Sequence, residues 1–112
     1  MTDCADSVFL VLCTVPESEA DALAERLLVE RLVACVNFIG PLKSRYRWEG
    51  EIEEGSEILL LMKTSGVTRS ALRRRILDLH SYANPEALEF EADSGLPAYL
   101  GWVVESCSLT GS

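Results

Sequence analysis

The sequence has no long apolar run. No segment approaches the roughly 18 consecutive apolar residues that a membrane span requires, so no membrane partner is expected. Bases are scarce, with 10 Lys and Arg against 18 Asp and Glu. The resulting net charge of −8 would repel a phosphate backbone and argues against nucleic acid as a partner. Residues 1–7 carry Asp3 and Asp6 but no Lys or Arg. The apolar stretch after them therefore lacks the positive flank of a secretory signal, and a cytoplasmic location is expected. No C-x-x-C pair joins any of Cys4, Cys13, Cys35 and Cys107, which a reducing compartment would keep as thiols. Neither a G-x-S-x-G elbow nor a G-x-x-x-x-G-K-[ST] loop is present, so the chain is expected not to be an enzyme. One catalytic route stays open, a cysteine brought beside the single histidine, His80, by the fold.

What is present reads as one α+β domain. The 112 residues, 48% hydrophobic and 25% charged, suit a single core. The expected organisation is a flexible N-terminus at 1–7, a domain at 8–106 and a flexible C-terminus at 107–112. Residues 8–13 are continuously apolar and end at Thr14, Val15 and Pro16, which predicts a central strand. Ser18 offers an N-cap, and Ala20, Leu23, Ala24, Leu27 and Leu28 follow helical spacing toward Arg31. A strand from Val33 to Ile39 is interrupted by Gly40 and Pro41. Beyond that bend Leu42, Ser44, Tyr46 and Trp48 alternate with Lys43, Arg45 and Arg47, Glu49 and Gly50 make a turn, and residues 51–57 return as an acidic arm before the apolar run 58–62. Thr68 is a plausible N-cap, with Val67 and Leu72 as a hydrophobic staple, for a helix whose buried side is Leu72, Ile76 and Leu79. Arg69, Arg73, Arg74 and Arg75 lie mostly off that side and read as a solvated basic face. A half-buried strand around Leu88 and Phe90 and a short helix after Pro97 complete the chain.

The order β-α-β-β-α-β is the ferredoxin-like sandwich, here with a long bent hairpin over residues 32–64. Its first and third strands are apolar on both sides, yet only two long amphipathic helices are available to cover the sheet. Self-association is the direct way to bury the rest. The cationic outgoing arm and the acidic return arm favour pairing in a defined register, within one hairpin or across copies.

The residues also resemble a known family, the CutA or divalent-cation-tolerance proteins. The resemblance runs from Val8 to Trp102. It rests on residues 12–16 and 32–37, on Ser44, Tyr46, Trp48 and Gly50, on Glu57 with Lys63 and Thr64, and on residues 80–86 with Tyr99 and Leu100. It implies a homotrimer with PII signalling proteins as distant structural relatives, hairpins paired between subunits, and a non-enzymatic role in metal tolerance. It further implies copper or another divalent ion as ligand, held by Cys13, Cys35, Glu57 and His80. The family commonly reads His-Pro-Tyr-Glu where this chain has His80, Ser81, Tyr82 and Ala83, so a carboxylate is missing at Ala83.

Each of these residues has a second reading. Cys13 and Cys35 lie in apolar runs, where a thiol usually packs as a small hydrophobe. His80 ends the second long helix, where it could cap carbonyls. Tyr46, Trp48, Lys63 and Tyr82, with Glu57, could line an inter-subunit cleft for a small anionic ligand, as in a PII-like sensor. Alternatively Tyr46 and Trp48, with Trp102, serve only as anchors of the trimer interface.

Overall fold

The structure, a computed structural model, describes residues 6–109. Of the ends expected to be flexible, residues 1–5 and 110–112 lie outside that range, as does Cys4. The elements are β1 (Val8–Pro16), α1 (Ala20–Val29), β2 (Cys35–Trp48), β3 (Glu51–Ser65), α2 (Arg69–Leu79), β4 (Leu88–Glu91) and α3 (Pro97–Ser106), with a single 3-10 turn at Glu17–Glu19. They form a mixed α+β ferredoxin-like fold whose four antiparallel strands run in the order β2-β3-β1-β4.

Strand alternation decides what each side of the sheet carries. Val11, Cys13 and Val15 of β1 share the inner side with Ile58, Leu60 and Met62 of β3, where they meet Leu23 and Leu27 of α1 and Leu72 and Ile76 of α2. This is the core. The opposite side carries Leu10, Leu12, Leu59 and Leu61, half-buried, and Leu88 and Phe90, which are 53% and 51% exposed. The helix α3 packs against β1 and β3 with Val103 fully buried, but leaves much of this side open.

The local signals worked unevenly. Ser18 is not an N-cap: it sits in the 3-10 turn that follows Pro16, and α1 starts from Glu19 without a side-chain cap. At its other end α1 closes with a Schellman arrangement, in which Leu32 N–H donates to the Leu27 carbonyl and Arg31 N–H to that of Leu28, both at 3.0 Å. Arg31 takes the left-handed position there, φ 60°, that glycine usually fills. Thr68 does precede α2, but without a side-chain cap hydrogen bond, and Val67 is 48% exposed. The Thr68 hydroxyl is instead shared with Ser65 Oγ at 2.7 Å and Thr64 Oγ1 at 2.9 Å, a buried group in which Thr64 also donates to the Leu32 carbonyl.

The long hairpin shifts register between Ile39 and Leu42 and then runs out to Trp48 opposite Glu51. Glu49 and Gly50, with φ of 49° and 81°, form the two-residue turn whose twist suits antiparallel arms. Arg45 donates to Glu54 at 2.8 and 3.1 Å across the arms, so the charge complementarity of the two arms is realised within one hairpin.

Candidate functional site

β4 stops pairing with β1 at Leu12, leaving the Thr14 carbonyl on an edge that no strand covers. His80, the first residue past α2, fills that gap: its Nε2 lies 2.8 Å from the Thr14 carbonyl oxygen. A carbonyl only accepts, so Nε2 carries the proton. The backbone N–H of Tyr82 donates to His80 Nδ1 at 3.1 Å. Both ring nitrogens are therefore engaged, and the imidazole is the neutral Nε2–H tautomer. It is 8% exposed and lies 4.6 Å, ring centre to ring centre, from Tyr82.

The Tyr82 hydroxyl donates to Glu57 Oε2 at 2.7 Å, and Glu57 is only 5% exposed. Burial first, and this carboxylate second, push the Tyr82 hydroxyl well above the ordinary phenol value, so it stays protonated as the donor. Tyr46 and Glu19 lie within electrostatic reach of the same hydroxyl. Thr14 Oγ1 donates to Glu86 at 3.5 Å. Thr14 and Glu86 were not among the residues singled out from sequence; both stand in the stretches that carried the family resemblance, which was the available signal.

Cys13 faces the core beside this cluster and is fully buried. Burial, with smaller contributions from Glu86 and Glu57, pushes its thiol up to about 12. It is held as a protonated thiol. Cys35 lies elsewhere. It pairs in register with Lys63, and Lys63 donates both to Cys35 Sγ at 3.9 Å and to Asn37 Oδ1. Lys63 and Glu57 are six residues apart on β3, about 20 Å along an extended strand. Cys35 and Lys63 thus occupy one end of the open sheet side, and Glu57, Tyr82 and His80 the other.

The structure therefore brings together Cys13, Glu57 and His80 at one end, with Tyr82 and Tyr46 beside them, and separates Cys35 and Lys63 from them. Among the described residues no group of three or more His, Cys, Asp or Glu could hold a metal ion. Within one chain the four residues expected as ligands do not converge. Tyr46, Trp48 and Trp102 are 45%, 46% and 46% exposed; Trp48 sits at the tip of the hairpin, and Trp102 lies against Tyr99 with ring centres 5.6 Å apart.

A family model for the CutA1 divalent ion tolerance protein matches residues 9–106. The chain belongs to this family. The divalent-cation tolerance protein CutA of Thermus thermophilus is 43% identical over 98 residues, 87% of this chain and 95% of that protein. Among solved structures, the PII-like protein CutA from Nostoc sp. in apo form superposes with a TM-score of 0.86 at 34% identity, covering 90% of this chain and 98% of that one. The CutA of Archaeoglobus fulgidus, described as a periplasmic divalent cation tolerance protein, gives 0.84 at 34% identity over 88% of this chain and 97% of its own. The family is named for tolerance rather than for a reaction. No helix among the described residues is long and apolar enough to cross a membrane.

Proposed function

We propose that the chain is a non-enzymatic homotrimer of divalent-cation tolerance that takes copper, or a similar thiophilic divalent ion, between subunits through Cys35. One observation carries this reading. Of the four expected donors, His80 has both nitrogens engaged and Cys13 is a buried, protonated thiol, whereas Cys35 is only partly buried on the open side of the sheet. Metal ligation requires a donor atom that an ion can reach, and the partly buried Cys35 Sγ, which lies 3.9 Å from both Lys63 Nζ and Asn37 Oδ1, meets that condition better than the other two. Glu57 keeps a carboxylate, yet stands about 20 Å from Cys35 along β3, too far for one ion to use both in one chain. A complete donor set then needs a second copy, and the uncovered apolar side of the sheet supplies the reason for copies to associate.

The same arrangement argues against catalysis. Of the two thiols on the sheet, the one nearer His80 is the one whose ionisation is opposed, and the more accessible Cys35 is at the far end. The free thiols of Cys13, Cys35 and Cys107 suit a cytoplasmic location.

Copper titration of the trimer tests the assignment. Cys35→Ala is expected to lose the tight site, while Cys13→Ala and His80→Ala keep the wild-type stoichiometry. Unchanged copper binding in Cys35→Ala overturns it. The second reading, a PII-like sensor for a small anion, is less well supported. Lys63 is remote from Tyr82, and Glu57, Glu19 and Glu86 make the aromatic end acidic. Thermal stabilisation by a small anion that disappears in Lys63→Ala would favour that reading instead.

A further inference from the structure

The helices α1 and α2 lie over the core side of the sheet, and the seam between them opens to solvent as a groove of about 500 Å³. Leu32 and Ala71 form its less exposed base, and Val29 and Leu109, 65% and 60% exposed, its rims. Arg26, Arg74, Arg75, Glu30 and Asp78 complete the lining. Glu30 accepts from Arg75 at 2.8 and 2.9 Å and pairs with Arg26 at 2.8 Å, bridging the two helices. These guanidiniums, Arg75 first, hold the Glu30 carboxyl below its ordinary value, so the bridge is ionic at neutral pH. Asp78 pairs with Arg75 at 3.8 Å. Arg74 is exposed and has no hydrogen-bond or ion-pair partner among the described residues.

We propose that this groove binds a small amphipathic monocarboxylate, its head on the Arg74 guanidinium and its apolar chain along Val29, Ala71 and Leu109. The volume falls in the range of small-molecule sites, about 300 to 1,000 Å³. Three guanidiniums against two carboxylates leave the lining one positive charge, on a chain whose net charge is −8. That single charge matches a monoanion and not a phosphate dianion. The one unpaired guanidinium offers the planar fork that a carboxylate fills with two hydrogen bonds. The exposed Val29 and Leu109 give an alkyl chain of medium length apolar surface that acetate could not use. The groove lies on the helix side, opposite the uncovered side of the sheet, so association through the latter leaves it open.

Octanoate is the probe, with octanol and acetate as the two halves of its chemistry, followed by amide chemical shifts on the intact protein. Octanoate is expected to move the amides of Val29, Glu30, Ala71, Arg74 and Arg75 saturably. Octanol and acetate should each bind at least about tenfold more weakly, and Arg74→Gln should weaken octanoate by about tenfold, the worth of a charged hydrogen bond. Arg74→Gln is an exposed change that leaves the fold intact, which its unperturbed spectrum elsewhere would confirm. The proposal is overturned if millimolar octanoate leaves these amides unmoved, if octanol binds as well as octanoate, or if Arg74→Gln binds like the wild type.

Discussion

Two groups tie the stability of this chain to pH from opposite ends of the scale. The buried Cys13 thiol is raised from 9.0 to about 12, so from roughly pH 9 upward the unfolded chain gives up a proton that the folded chain keeps. Stability then falls as pH rises, by at most about 1.4 kcal/mol per pH unit for one such group. Denaturant midpoints at pH 8 and pH 10 should show a larger loss for the wild type than for Cys13→Ala, and equal losses would contradict the assignment. Glu89 works at acid pH. It lies between Arg73, at 2.6 and 2.9 Å, and Arg69, at 3.2 Å, while the Arg69 guanidinium also sits 3.9 Å from the centre of the Phe9 ring. The Arg73 bond foremost holds the Glu89 carboxyl below 4.5, so its contribution is full above that value and is lost as pH falls through the folded one. Glu89→Gln is expected to cost about 1 to 3 kcal/mol at pH 7, and the cost should shrink as pH falls into the acid range and the Glu89 carboxyl takes up its proton, read from the same midpoints. A pH-independent cost would contradict an ionic origin. At this scale the sequence was least legible. His80 could be placed at the end of α2 from the spacing of Leu72, Ile76 and Leu79, but its bond to Thr14 depends on where β4 stops pairing, and no local pattern carries that.

Among the elements, the β2–β3 hairpin was the most legible, because alternation, an acidic return arm and a Glu-Gly turn all point to one register. The helix starts were read less well. Pro16 leads straight into a 3-10 turn that displaces Ser18 from the cap, and the Thr68 hydroxyl bonds back to Ser65 instead of forward along α2. The bend in β2 depends on Gly40. Its φ is +128°, and a Cβ there would meet Leu42 N at 2.8 Å and the Glu57 carbonyl at 3.2 Å, both backbone atoms that cannot turn aside. Gly40→Ala is therefore expected to destabilise the chain by more than about 2 kcal/mol in a thermal or urea melt. It should also disturb Tyr82, whose partner Glu57 sits directly across the bend. A melt within about 0.5 kcal/mol of the wild type would mean that the bend is not constrained as described.

For the whole molecule, one chain leaves an apolar surface uncovered. It is 44 Å long and 27 by 23 Å across, and its sheet is covered by α1 and α2 on one side while Leu88, Phe90 and their neighbours stay open on the other. That this side stays apolar was already legible in strands that are apolar on both faces. Which donors face that side was not, because the thiols of Cys13 and Cys35 look alike in sequence and end on opposite sides of the sheet. On the proposed reading, association through this side would cover the apolar surface, leave the helix groove free and bring Cys35 to a boundary where a second copy can add ligands. Light scattering at micromolar concentration tests this most directly, on the wild type and on Phe90→Glu. The account predicts a particle three times the mass of the 12.4 kDa chain for the wild type and a smaller one for the variant. A wild-type monomer, or a trimer that Phe90→Glu leaves unchanged, would contradict it.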